Sequence, residues 1–263
     1  MTNAHAPFEI PSIPMHVARM RWRRALQALR ALLADPDDTA KAIEVNLAID
    51  ARDFERRFQR FAASPEGRTL LAERPLLADA LSDRAALESM HPESLGRAYL
   101  GYLEHNGFRA TGLLELQCEV QARWERDEGL PPIDPVRAWY RDRGTLAHDL
   151  FHVVTGYGTD DFGEATLLAF SQAQLGGRAN ALLTAGATLE VARSLGLGWL
   201  RYAHQAWRRG RRAVQLIALP WEELLPLRLA TVRRIARVGE PEETHATGVI
   251  AGRKLAGGGH ALG

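Results

Sequence analysis

Apolar residues recur at three- and four-residue spacing along almost the whole 263-residue chain. No segment alternates with the period of two that a half-buried strand requires. That pattern confines the chain to an all-α fold, with one apolar stripe per helix turned toward a shared core. In residues 15–33 the stripe is Val17, Met20, Ala25, Leu26, Leu29, Leu32 and Leu33. Asp35, Pro36, Asp37 and Asp38 stop it, and Thr39 can cap the next helix. Ile43, Leu47, Phe54, Phe58 and Phe61 then predict one helix over residues 39–61. Ser64, Pro65, Glu66 and Gly67 read as a break, with short helices after it, one over residues 83–89.

Residues 91–94 open a helix holding Leu95, Tyr99, Leu100 and Leu103, which Asn106 and Gly107 end. Further helices are predicted over 113–124, over 136–154 with an interruption near Gly144, and over 164–175, 179–195 and 198–209. Pro220 marks another helix start, and 227–235 is the last helix. The expected organisation is a basic amphipathic helix in residues 1–38, one compact multi-helix core domain over 39–238, and a disordered polar tail over 239–263 that contains Gly257, Gly258 and Gly259.

Composition narrows the function classes. A formal net charge of +1 argues against a nucleic-acid binder. Cys118, without a second cysteine to pair with, fits a reducing compartment and reads as an inert buried thiol. No apolar run is long enough for a transmembrane helix, and no secretory signal is visible. Residues 15–33 are Arg-rich and free of acids, but there is no clear transit peptide. The expectation is a bacterial, cytoplasmic protein, peripheral on the inner face of the cytoplasmic membrane.

Chemistry concentrates at His148-Asp149-Leu150-Phe151-His152, followed by eleven residues and then Glu164. Two histidines four apart lie within about 40° of each other on a helix, so both imidazoles can reach one ion. Asp149 flanks the same face. Gly156, Gly158 and Gly163 bracket a loop that lets Glu164 return from the next helix. Imidazoles beside a carboxylate suit zinc, iron or manganese. The site would thus lie between two adjacent helices, with His148 and His152 as metal ligands and Asp149 and Glu164 as the two candidate carboxylates. Asp149 or Glu164 could instead carry a proton. Asp160 and Asp161 read as solvated turn residues. The other reading is structural, with the histidines pairing locally and Asp149 a surface acid. A zincin protease would need Glu between the histidines. A metal-dependent phosphohydrolase would need a further His upstream, for which only His105 offers itself. A di-iron protein would need a second such unit.

The whole pattern closely resembles the signature of the ubiquinone (coenzyme Q) biosynthesis family called Coq four. Tyr140-Arg141, Gly156-Tyr157 and Gly163-Glu164 agree around it. So do Ser94-Leu95-Gly96-Arg97-Ala98-Tyr99, Trp207-Arg208-Arg209-Gly210, Pro220-Trp221-Glu222-Glu223, Pro226-Leu227 and Val232-Arg233, which places the resemblance over 94–238. The resemblance implies an all-α protein that holds a divalent metal, usually zinc, through His148, Asp149, His152 and Glu164. It also implies oxidative decarboxylation of a polyprenylated hydroxybenzoate-type ring at the membrane face, the C1 carboxyl being replaced by hydroxyl, with other quinone-biosynthesis proteins as partners. A non-catalytic prenyl-lipid-binding scaffold is the alternative. Zinc does not exchange electrons, so oxidation would need dioxygen acting on an electron-rich ring, or a redox metal.

Two basic patches could touch a membrane surface: Arg19, Arg23 and Arg30, and the group Trp199, Tyr202 and Trp207 with Arg208, Arg209, Arg211 and Arg212. Solvated helix faces are the plainer reading of both. The Ala- and Gly-rich stretch 176–198 permits close helix approach, for core packing, a lipid tunnel or the seam of a homodimer. His16, His91, His204 and His245 read as surface or capping residues.

Overall fold

A computed structural model describes residues 19–239. It is all-α: fourteen α-helices, and no strand among the described residues beyond an isolated bridge between Ser94 and Arg228. In chain order they are α1 (Trp22–Ala34), α2 (Thr39–Ile49), α3 (Ala51–Ala63), α4 (Pro65–Glu73), α5 (Leu77–Ser82), α6 (Arg84–Ser89) and α7 (Leu95–Asn106). Then come α8 (Gly112–Glu128), α9 (Pro135–Thr155), α10 (Asp161–Leu175), α11 (Arg178–Leu195), α12 (Trp199–Arg212), a 3-10 turn at Leu216–Ala218, α13 (Trp221–Leu224) and α14 (Leu229–Ala236). The expected tail, Gly239 apart, and residues 1–18 lie outside the described residues, as do His16 and His245.

The sequence punctuation acts largely as written, with four differences. The expected helix over 39–61 is two helices meeting at Asp50, whose backbone stays helical while its buried carboxylate meets Arg57. Thr39, expected as a cap, lies inside α2, with Asp38 before it. Ser64 is more than a break: its hydroxyl accepts from Gly67 N at 3.0 Å, and Pro65 occupies the first position of α4. The interruption near Gly144 does not occur, and α9 runs unbroken for 21 residues, about 31 Å. A Cβ at Gly144 would sit 3.1 Å from Ile217 Cδ1, so this glycine makes room for the 3-10 turn. One interior glycine costs only about 1 kcal/mol in a helix, which a long packed helix absorbs.

The main core is built on α9. Leu150, Val154 and Phe151 pack with Leu95 and Tyr99 of α7, Phe170 of α10 and Trp221 of α13. A second cluster joins Ala25 and Leu29 of α1, Val45 and Ile49 of α2, Trp124 of α8 and Leu183 of α11. Arg21 and Arg24 reach over the Trp124 ring and pair with Glu128, which fastens α1 to α8. Leu29, Trp124 and Leu183 of that cluster and Phe151 of the main core border one cavity of about 1,660 Å³. Drug-sized ligand sites are usually about 300–1,000 Å³. The Ala-rich α11 serves two purposes. It packs closely on α1 at Gly186, beside Leu29, and it lines the cavity with Asn180, Leu183, Ala187 and Val191.

A buried ion pair orients α9 about its axis. Arg143 is 2% exposed, and its guanidinium donates to both carboxylate oxygens of Glu222 (2.6 and 3.0 Å) and to Leu219 O (2.7 Å). Removing one partner of such a pair leaves a charge buried without compensation, typically at about 3–5 kcal/mol. Glu222→Ala is therefore expected to destabilise the protein by roughly 3 kcal/mol, read as a lower urea midpoint with an unchanged slope.

Candidate metal centre

Three elements converge on the cavity wall. α9 is capped by Asp134, whose carboxylate accepts from Val136 N and Arg137 N, with Pro135 at its first position. Its cavity face carries Arg141, Thr145, His148 and Asp149. α9 ends at Gly156, which adopts φ 79° and donates its N–H to His152 O at 2.7 Å. This left-handed conformation suits glycine. The chain then reverses. Asp160 is exposed, as expected, but it is not an idle turn residue: its carboxylate accepts from Phe162 N and Gly163 N, both at 3.1 Å, and caps α10. Asp161 is the first residue of that helix. A Cβ at Gly163 would lie 2.1 Å from Gly158 O, so only glycine lets the loop close so tightly. Thr159 donates to Asn106 Oδ1 at 2.7 Å and ties the loop to the end of α7.

This reversal brings Glu164 back onto the histidines. One ligand atom from each of His148, His152 and Glu164 lies within 4.8 Å of the others. The two imidazoles meet edge to face, with centroids 4.8 Å apart. Asp149 is not among the three. Its Oδ1 lies 3.7 Å from His148 Nδ1 and accepts a hydrogen bond from the Tyr102 hydroxyl at 3.4 Å. His152 is buried (side chain 1% exposed), whereas His148 and Glu164, at 38% and 41%, open toward the cavity.

The hydrogen bonds of His152 decide what its second nitrogen can do. Nδ1 lies 3.1 Å from Tyr157 O. A carbonyl only accepts, so Nδ1 carries the hydrogen and Nε2 of the neutral ring presents a lone pair. That Nε2 faces Glu164 Oε1 at 3.2 Å and has no hydrogen-bond partner; His148 Nδ1 is likewise buried without one. A lone pair opposite a carboxylate calls for a positive charge between them, either a proton or a metal ion. The Nδ1 contact to a backbone carbonyl is the outer-sphere support that metal-bound histidines ordinarily have. The residues therefore fit a divalent ion with three protein ligands and room for another.

Without metal, the charges couple. Burial lowers the His148 pKa, but the carboxylates of Asp149 and Glu164 outweigh it and hold the pKa above its ordinary value. Burial raises the Glu164 pKa, but His152 and His148 outweigh it and hold the carboxyl below its usual range. The raised histidine contributes stability below its unfolded pKa near 6.5 and loses it as pH rises through the folded value. The depressed glutamate contributes above its unfolded pKa near 4.5 and loses it as pH falls. In chelator-treated protein, the stability difference between wild type and His148→Gln is thus expected to be larger at about pH 5.5 than at about pH 8. Metal affinity should run the other way and rise with pH, because bound imidazole must be neutral. Thermal denaturation and metal titration at the two pH values check both.

Tyr102 joins the site without a warning in the sequence motif. Its ring stacks on His152 with centroids 5.8 Å apart, and Tyr102 lines the cavity with His148, Asp149 and Glu164. Burial and the charges of Asp149 and Glu164 push its pKa far up, so it is a neutral donor. Its one sequence signal is position: three residues after Tyr99, it flanks the inward face of α7. His105 is exposed on α7 and does not join the ligand group. Cys118, expected to be buried, is exposed, with Arg141 Nη2 at 3.7 Å from its sulfur. α8 turns this position outward and buries Val120 and Trp124 instead. His91 and His204 are exposed, as expected.

Fold and site together define an all-helical protein with a two-histidine, one-carboxylate cluster at the wall of a large, mainly apolar cavity. The family model of the coenzyme Q (ubiquinone) biosynthesis protein Coq4 matches residues 15–116 and 133–242, and the chain belongs to that family. Its relatives include proteins named ubiquinone biosynthesis protein COQ4, mitochondrial, from Podospora anserina (27% identical over 188 residues, 69% of this chain and 56% of that one) and, as homolog 1, from Culex quinquefasciatus (27% over 213 residues, 80% and 72%). The Danio rerio homolog is 28% identical over 190 residues, 69% of this chain and 63% of that one. The match thus spans little more than half of the Podospora relative. A crystal structure of a candidate ubiquinone biosynthesis protein from Nostoc punctiforme superposes with a TM-score of 0.60 at 18% identity. It covers 84% of this chain and 100% of that one, and shows the same fold.

Proposed function

We propose that this Coq4-family protein is a metal-dependent enzyme of ubiquinone biosynthesis. In this reading it replaces the C1 carboxyl of a polyprenylated hydroxybenzoate-type ring by hydroxyl. The observation that carries the reading is the juxtaposition of the His148–His152–Glu164 cluster with an apolar cavity of about 1,660 Å³. His148, His152 and Glu164 would hold the ion: zinc or, with this donor set, iron or manganese. A divalent ion held there would supply Lewis acidity to a ring bound in the cavity.

The remaining roles belong to the chain. Leu29, Leu47, Leu113, Leu116 and Leu183 offer apolar surface to a prenyl tail. Asp149, which accepts a hydrogen bond from the Tyr102 hydroxyl, would take the phenol proton of the ring. Glu164 would bind the ion and could assist proton transfer. The oxidant is dioxygen: the ring loses its carboxyl as CO2 and gains a hydroxyl at C1, and the two electrons given up reduce dioxygen to hydrogen peroxide, with one water consumed (ring-COOH + O2 + H2O → ring-OH + CO2 + H2O2).

No helix among the described residues is long and apolar enough to cross a membrane. In this reading the protein works peripherally at the inner face of a bacterial membrane, beside other quinone-biosynthesis proteins. The exposed Arg208, Arg211 and Trp207 of α12 suit an anionic surface.

The cavity by itself also favours a second reading, a prenyl-lipid-binding scaffold in which the metal is structural. Elemental analysis of the purified protein, paired with mass spectrometry of co-purified lipid, tests both. Enzyme and scaffold each require metal and a prenylated lipid. Finding neither overturns the reading, and a ligand variant that unfolds on losing its metal favours the scaffold.

A further inference from the structure

The end of α9 that carries His152 is held by arginines from the C-terminal helices. Arg209 of α12 is 6% exposed, and its hydrogen-bond acceptors are carbonyl oxygens. Nη2 donates to Thr155 O at 3.1 Å, and Nε and Nη2 donate to Gly239 O at 3.0 and 2.6 Å. The guanidinium carbon also lies 4.9 Å from the Tyr157 ring centroid. Arg233 of α14 reaches the same helix end, Nε to Val154 O at 2.9 Å and Nη2 to Val153 O at 3.4 Å. Both cations complement the negative end of the α9 dipole. The difference between them is Tyr157. Arg209 grips Thr155 on one side of the Gly156 turn and the Tyr157 ring on the other, and the Tyr157 carbonyl fixes which nitrogen of His152 bears the hydrogen.

We propose that Arg209 is a positioning residue for the metal centre. It touches neither ion nor substrate. By clamping the Gly156 turn, it aims the Tyr157 carbonyl at His152 Nδ1 and so leaves Nε2 free to bind the ion. Through Gly239 O, it also couples the segment after α14 to the ligand histidine. The inference rests on His148, His152 and Glu164 being a metal site.

The test uses the full chain and Co²⁺, whose visible spectrum reports ligand geometry, with ¹⁵N-histidine NMR of the metal-free protein as a second readout. Arg209→Met is expected to weaken Co²⁺ binding by about 10–100-fold, to change the spectrum and to give His152 a mixture of tautomers, whereas Arg233→Met should stay within about threefold of wild type. Tyr157→Leu keeps the carbonyl but removes the ring, so it should weaken binding in the same direction; it decides the matter if Arg209→Met does not fold. Tyr157→Phe should bind as wild type does. Wild-type affinity and an unchanged tautomer in folded Arg209→Met, or in Tyr157→Leu where that variant decides, overturn the proposal. An equal loss in Arg233→Met also overturns it, because the effect would then belong to the helix end in general. Failure of the wild type to bind Co²⁺ overturns the metal reading instead, and the His152 tautomer then tests the clamp alone.

Discussion

Replacing His152 by alanine is expected to weaken divalent-metal binding by more than the roughly 10–100-fold that loss of an outer-sphere partner costs, while the chain stays folded. His152 is the buried member of the cluster, and its Nε2 lies 3.2 Å from Glu164 Oε1. Without it, His148 and Glu164 remain, both open toward the cavity, and two ligands hold an ion far less well than three. Loss of one buried side chain costs about 1–3 kcal/mol, against a total stability of about 5–15 kcal/mol for an ordinary domain. Chelator competition gives the affinity, and circular dichroism reports the fold. Wild-type affinity in the folded variant would remove His152 from the ligand set.

Gly163→Ala should damage both fold and site. The added Cβ would meet Gly158 at its carbonyl oxygen (2.1 Å), carbonyl carbon (2.4 Å) and nitrogen (2.6 Å). All three are backbone atoms, so no side chain can swing away. The loop must open, and Glu164, the next residue, moves with it. Overpacking typically costs about 1–3 kcal/mol, and a backbone clash belongs at or above the top of that range. Urea denaturation is expected to show a loss of about 3 kcal/mol or more, with metal affinity falling in the fraction that still folds. A neutral result would mean that the 156–163 loop does not hold Glu164 in place.

Much of this was legible in the sequence because it is local. Helical spacing places apolar faces wherever a core exists to receive them. The i, i+4 pair His148 and His152 and the glycine-bracketed return to Glu164 depend only on helix geometry and chain reversal, and those three residues come together. Asp149 was harder to place. Sequence proximity puts it beside His148, but only the fold shows its carboxylate beside the Tyr102 hydroxyl rather than in the cluster. Tyr102 is 46 residues before His148 in sequence and meets the site solely through the packing of α7 on α9. The same holds for Glu222, which reads as a helix start but holds Arg143, and for Arg209, which reads as part of a solvated basic run but is buried against Thr155 and Tyr157. Gly144 misled for the opposite reason. A local helix breaker was tolerated because its missing side chain makes room for Ile217.

The chemistry itself is tested most directly by carboxyl-¹³C-labelled polyprenylated hydroxybenzoate, incubated under dioxygen with the metal-loaded protein. The label is expected to leave as ¹³CO2 while the ring gains a hydroxyl at C1, and both changes should vanish in His152→Ala and after chelation. Folded, metal-loaded protein that leaves the ring carboxylate in place would contradict the proposed reaction.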